Sequence, residues 1–380
     1  MSKVSILICF TFLFFKQGFA QTDITVIRNV NVFTGTEYLE QTNLIFRDSV
    51  IVKISKKVPK YKSLRVIDGT GNTIIPPLVN AHVHLWQPES LVASLKAGVF
   101  VNLDMHNTDE GANFLRSFND SLNYSSFYSS NSAVTVPGGH GTQFGFPVPT
   151  INDSISAEKF VQDRLTANAD YIKVIREPRM NSLTDQQSSD AINEAHKSGV
   201  LAVGHSHNIG ESITLTEQGI DGLMHIWYDK PADETFLLKM KGSEIFIVPT
   251  LLATQKVLEL AKQQGWAKYV LSFEKVLEEV KRAYDAGITI ICGTDPPNLG
   301  VNYTDNLFDE MELLSKAGLT NIEILKSASI NTYDAFRLEE LGELKEGVLA
   351  NFVLIDGNPI ERISDLKSDK VIFRKGQQIQ

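Results

Sequence analysis

Residues 74–86 read "IIPPLVNAHVHLW". An apolar run ends in two histidines, His82 and His84, spaced two apart. In a β-strand, residues two apart point to the same side. Both imidazoles therefore leave one face at the C-terminal end of a strand. Two same-face rings can share one zinc-like ion through nitrogen at about 2.0–2.1 Å. Taken alone, the pair also fits two buried polar side chains, so further ligands have to decide.

Downstream, short apolar strands alternate with amphipathic helices about eight times over residues 77 to 335. That pattern implies parallel strands with crossover helices: an α/β fold and, by count, a closed (β/α)8 TIM barrel. One helix is sharply written in "TDQQSSDAINEAHKSGV", residues 184–200. Thr184 and Gln187 suit a capping box, Ala191, Ile192 and Ala195 share a face, and Gly199 stops it. The flanks differ. "ITVIRNVNVF", "TNLIFRDSVIVKIS" and "RVIDGTGNTII" before the barrel, and "ANFVLIDGNP" and "KVIFRKGQQI" after it, are β-branched and broken by turn residues. The expected division is a barrel over 77–340 and a small β-sandwich built from residues 21–76 and 341–380.

The first twenty residues have another character. Lys3 precedes "VSILICFTFLFF", and Gly18 and Ala20 stand before a plausible cut. This is the pattern of a secretory signal peptide, residues 1–20. The apolar run is short of the roughly 20 residues of a spanning helix, so no stable membrane anchor is expected. The protein is expected outside the cytoplasm, periplasmic or secreted. Of the two cysteines only Cys292 would remain, so no internal disulfide can form, and the core has to stabilise the fold. The net charge is −9, with no basic run beyond "KISKKVPKYK", which argues against nucleic acid as a partner. A small-molecule substrate is the expected partner, and a homo-oligomer is left open.

Eight histidines are present: 82, 84, 106, 140, 196, 205, 207 and 225. His196 lies on the helix above and reads as a plain helix residue. The other seven fall at or after the C-terminal ends of the expected strands, the face of a (β/α)8 barrel where chemistry sits. "LAVGHSH" ends the fifth strand with His205 and His207, "GLMHIW" puts His225 on the sixth, and "TIICGTD" ends the eighth with Asp295. "DYIKVI" places Lys173 within the fourth, an apolar strand. A buried lysine is costly unless paired or modified, and an ammonium has no lone pair for a metal. A neutral amine can take up carbon dioxide to form a carbamate, a carboxylate analogue able to bridge two cations. Taken alone, Lys173 also fits a side chain reaching to solvent.

H-x-H on strand one, lysine on strand four, histidines on strands five and six and aspartate on strand eight together resemble the amidohydrolase superfamily of metal-dependent hydrolases. "VIDGTGNTIIPPLVNAHVHL" resembles the family's entry into strand one. "SASINTYDAFRLEELGELKEGVLANFVLIDGNPIERI" resembles its return to a small β-sandwich. "YIKV", "GHSHNIGESITLTEQGIDGLMHI" and "GTDPP" point to the imidazolonepropionase-like and Xaa-Pro dipeptidase-like subgroup. The resemblance implies two divalent ions, zinc expected. His82, His84 and Asp295 would hold the more buried one, and His205 and His225 the second. Carbamylated Lys173 would bridge them, and Asp295 would be the catalytic acid/base. Pro76-Pro77 and Ala350-Asn351 depart from the family's usual Pro-Gly and Ala-Asp at structural positions. "VNLDMHNTDE" and "YTDNLFDEMELL" depart where the family shapes its substrate pocket.

The glycine-rich "VPGGHGTQFGFPVP", residues 136–149, suits close backbone approach to a bound group. His140 within it and His207 are candidate substrate contacts. Three functions follow. The first is an exported dinuclear hydrolase of an amide or peptide-like C–N bond, in a dipeptide or N-acyl amino acid. The second is a mononuclear enzyme of the imidazolonepropionase or deaminase type, without the carbamate. The third is an inactive metal-binding relative, disfavoured because every expected ligand is present.

Overall fold

The computed structural model describes residues 24–61, 63–338 and 342–379. The signal-peptide reading of residues 1–20 and the expected boundary at 340/341 lie outside the described residues. Among the described residues, no helix is long and apolar enough to cross a membrane.

The fold is α/β with mixed sheets. The terminal segments supply β1 (Ile24–Phe33), β2 (Tyr38–Arg47), β3 (Val50–Ile54), β4 (Arg65–Asp68) and β5 (Asn72–Ile75). The central part holds β6 (Leu78–Val83), β7 (Val99–Asp104), β8 (Ser126–Ser129), β9 (Ile172–Ile175), β10 (Ala202–His205), β11 (Gly222–Met224) and β12 (Phe246–Val248). β13 (Phe352–Asp356), β14 (Lys370–Arg374) and β15 (Gln377–Gln378) close the chain.

The terminal strands share one hydrogen-bonded sheet in the order β15-β14-β13-β5-β1-β2-β3, with β4 paired to β1. The two segments thus meet in a continuous path of seven strands, with β4 branching from β1. β13 inserts antiparallel beside β5, Leu354 opposite Ile74. The apolar residues of this sheet cover a core of their own, with Phe46, Phe352 and Phe373 in mutual ring contact.

The central strands are parallel, in sheets β6-β7-β8 and β12-β11-β10-β9. All six residues of β6 are buried, as parallel strands covered on both faces require. Backbone bonds stitch the two sheets together at both edges. Val134 N donates to Lys173 O at 2.7 Å, and Ile175 N to Val134 O at 3.1 Å. On the other side, residues 289–295 stand where the eighth strand was expected, and only an isolated parallel bridge, Ile247 to Ile290, is formed there. This segment still bonds to both neighbours. Ile291 N donates to Ile247 O at 2.8 Å, and Ala81 N to Cys292 O at 3.0 Å. Gly293 permits that passage, since a Cβ there would stand 2.6 Å from Val248 Cγ1 and 2.8 Å from His82 N. The helix Asp185–Lys197 has the capping box of Thr184 and Gln187, and it buries Ala191, Ile192 and Ala195.

Candidate metal centre

The C-terminal ends of the parallel strands converge on one polar cluster. Asn80 lies two residues before His82 on β6. Its Nδ2 donates to Thr294 Oγ1 at 2.7 Å, and its Oδ1 accepts from Thr294 N at 3.1 Å. Asp295 N donates to His82 O at 2.8 Å. These bonds bring the Asp295 carboxylate to the β6 imidazoles. Its Oδ1 stands 3.4 Å from His82 Nε2 and 3.2 Å from His84 Nε2. Asn298 Nδ2 donates to the same oxygen at 2.7 Å.

A second group is His205, His207 and His225. Their ring centroids are 4.2 to 4.8 Å apart. In each group the potential ligand atoms lie within 4.8 Å of one another. The groups adjoin, with the His82 and His225 rings 4.6 Å apart. His205 and His225 were expected as a ligand pair. The structure groups His207 with them, although the sequence reading had placed it on the substrate side. Burial holds the His82, His205 and His225 imidazoles far below the ordinary range and pushes His207 down to about 3. At neutral pH these rings are neutral and keep a lone pair for a metal.

His225 sits at φ +88°, Thr250 at +48° and Asp295 at +67°, left-handed conformations that are costly for such residues. The strain coincides with a defined hydrogen-bond chain. The Thr250 hydroxyl donates to Pro249 O at 2.8 Å, leaving its lone pair for His225 Nδ1–H at 2.7 Å. That fixes the tautomer of His225 with Nε2 free to ligate.

Lys173 is 3% exposed, and its Nζ has no hydrogen-bond partner. Burial brings its pKa from 10.5 to about 7, against the opposing pull of Asp295 and Asp104. His82 Nδ1, His84 Nδ1, His205 Nε2 and His207 Nδ1 are likewise buried without a partner. Buried polar atoms are rarely left this way without an ion or water to satisfy them. Five orphaned nitrogens in one cluster with the Asp295 carboxylate therefore fit a site for divalent metal.

The remaining histidines separate by geometry. His106 accepts from Ala133 N at Nδ1 (3.0 Å), so its Nε2–H donates to Gly141 O (3.2 Å). Both nitrogens are occupied, and the residue anchors the glycine-rich loop. His140 stacks on His205 at 4.4 Å and lines the cavity over Lys173. Burial pushes it down to about 4. His196 is far from this cluster and pairs with Asp221 at 2.9 Å.

Sequence reading missed several participants. Glu177 stands 3.8 Å from His205 Nε2 and is held by Arg179 through bonds of 2.9 and 2.8 Å. Burial pushes its carboxyl up, but the Arg179 and His205 contacts outweigh that and hold it well below the usual range. The charged run "IREPR" directly after an apolar strand was the available signal. Thr250 left no such trace. For Glu310 the available signal was an acid on an apolar helix face between Leu307 and Leu314. Its carboxylate accepts from Leu251 N and Leu252 N, both at 2.7 Å, just after Thr250. The two departing stretches also find a use. Asp104 and Asn107 clamp Leu85, beside His84, by bonds of 2.8 and 2.7 Å, and Tyr303 OH donates to His84 O at 2.6 Å.

Comparison with known proteins adds to this geometry. Residues 73–377 match the model of the amidohydrolase family. The ochratoxinase of Aspergillus niger is 22% identical over 407 aligned positions, spanning 88% of this chain and 82% of that protein. A 5-methylthioadenosine/S-adenosylhomocysteine deaminase of Clostridium tetani is 22% identical over 93% of this chain and 90% of its own length. The solved structure of a Xaa-Pro dipeptidase with bound methionine in the active site superposes with TM-score 0.82. It covers 94% of this chain and 100% of that one at 20% identity, a likeness of fold.

Proposed function

The chain belongs to the amidohydrolase family of metal-dependent hydrolases acting on C–N bonds, and on that premise we propose a dinuclear hydrolase of an amide or peptide-like bond, in a dipeptide or N-acyl amino acid. The observation that carries this reading is the buried Lys173 Nζ without a partner, on the wall of a cavity that members of both groups of potential ligands also line. An ammonium there would be repelled by bound cations. As a neutral amine, Nζ can attack carbon dioxide and lose a proton, giving a carbamate anion with two oxygens.

In this reading His82, His84 and Asp295 would hold one ion and His205 and His225 the other, and Lys173, as a carbamate, would supply a ligand oxygen to each. The imidazole-rich set suits zinc. Two such ions, when bound, lower the pKa of an attacking water and polarise the scissile carbonyl. Asp295 takes the proton of that water and delivers it to the leaving nitrogen. The new C–O bond thus replaces C–N, and carboxylate and amine are released. His140 and His207 face the cavity and contact the substrate. The ring of backbone bonds through residues 130–134 and 289–295 supports reading the parallel strands as one closed barrel over residues 77–340. The terminal segments, 21–76 and 341–380, would be its β-sandwich companion. Export follows from the pattern of residues 1–20.

Metal analysis with Lys173→Ala tests the reading. Wild type is expected to hold two ions per chain, and the variant to lose metal and activity together. Propionate or acetate should restore part of both by occupying the vacated bridge. One ion per chain beside an unmodified lysine would instead favour the mononuclear reading, a hydrolase of the imidazolonepropionase or deaminase type.

A further inference from the structure

A second cavity adjoins the one over Lys173 and Asp295. It measures about 560 Å³, against about 260 Å³ for the metal cavity. The two share Arg179, His207 and Tyr228 as lining residues. Its outer wall is Trp266, Tyr269 and Val270, in the turn that follows the helix Leu251–Gln264. Tyr269 is 68% exposed, with the Lys268 ammonium 4.9 Å from its ring centroid. The turn is not loose: Leu271 N donates to Tyr228 O at 2.7 Å, tying it to the segment that carries His225.

The charges that reach this annex are already engaged. Glu177 is held by Arg179. Asp229 accepts from Ile209 N at 2.8 Å and from Asn208 Nδ2 at 2.9 Å. What remains for a ligand is three aromatic side chains, Val270 and the flat face of the Arg179 guanidinium, whose edge holds Glu177. Those groups favour a flat, apolar π-system, by ring stacking and cation–π contact. An apolar cavity of about 150 Å³ already takes up benzene, so the annex has room for a fused ring.

Asp295, Asn298 and Leu299 line the metal cavity and not the annex. A leaving amine protonated by Asp295 lies on their side. The group that passes His207 into the annex therefore belongs to the acyl half of the substrate. We propose that the annex is an acyl subsite for an aromatic ring system, so that the preferred substrates are N-aroyl or N-arylacyl amides rather than small aliphatic ones. This assignment rests on the hydrolase reading above.

The test uses metal-loaded, full-length protein and two compounds with the same leaving amine, N-(2-naphthoyl)glycine and N-acetylglycine. Wild type should favour the naphthoyl compound in kcat/KM by about ten-fold or more. Trp266→Ala/Tyr269→Ala should remove that preference, mainly through KM, and move the acetyl compound much less. Equal losses on both compounds, or no loss on either, would overturn the subsite. Titration calorimetry with 2-naphthoate and acetate separates the two readings if neither amide turns over. Naphthoate bound more tightly than acetate, with the difference lost in the variant, keeps the annex while the hydrolase reading fails. Naphthoate bound no better than acetate by wild type sinks the annex itself.

Discussion

Thr250 is a β-branched residue at φ +48°, a conformation that L side chains of this shape avoid. It presents one hydroxyl that donates to its neighbour's carbonyl and accepts from His225 Nδ1–H. Valine at this position keeps the shape and the backbone cost but cannot accept. Thr250→Val should therefore leave the fold in place and free the His225 ring to turn or change tautomer. Outer partners of metal-ligating histidines are typically worth 10–100-fold in affinity. A loss of about that size is expected, read by competition with a chelator. Unchanged metal affinity would show that Thr250 does not orient His225.

At the scale of elements, the helix Leu251–Gln264 begins without a side-chain cap of its own, because Thr250 is committed to the histidine. The helix Asn306–Lys316 supplies the missing acceptor from outside. Glu310 takes the first two amides of its neighbour, which satisfies donors a helix start leaves open. Burial pushes the Glu310 carboxyl from 4.5 up to about 8, against those two donors. Its folded pKa lies above its unfolded one, so the folded state binds more protons between the two values. Its contribution is full below about 4.5 and is lost as pH rises towards 8. Relative to Glu310→Gln, which does not titrate, wild type should lose stability across that window. The slope is bounded by about 1.4 kcal/mol per pH unit. Urea unfolding of both proteins at pH 5 and pH 8 checks the sign, and a gain for wild type on the alkaline side would refute it.

At the scale of the whole molecule, β1 is the strand on which the terminal sheet is assembled, paired with β2, β4 and β5. It begins at Ile24, four residues beyond Ala20. A cut after Ala20 would spare every bond of that sheet among the described residues. It would also remove Lys3 and Lys16, leaving 34 basic against 45 acidic residues and a net charge of −11. The mature protein from its native host should begin at Gln21, and a chain lacking residues 1–20 should unfold at the same midpoint as the longer one. Intact-mass analysis settles the first point: Met1 retained on a cytoplasmic protein would contradict export.

Local rules carried far in this chain. Strand and helix periodicity depend on near neighbours, so the alternation of elements, the capping box at Thr184 and the same-face placement of His82 and His84 were legible in the sequence. So were His82, His84, His205, His225 and Asp295 as side chains able to bind metal, since the residue types and their places at strand ends are written directly. The pairing of the eight terminal strands in one sheet depends on contacts between residues nearly 300 positions apart, such as Leu354 with Ile74. No local pattern states these. The same holds for Asp295 over the β6 imidazoles, for the grouping of His207 with His205 and His225, and for Thr250 and Glu310 behind them. Hydroxyls and carboxylates become supports only when a distant element places a donor or ring against them. The annex, too, was decided by tertiary structure. The fold alone sets Trp266 and Tyr269 beside Arg179 and Tyr228.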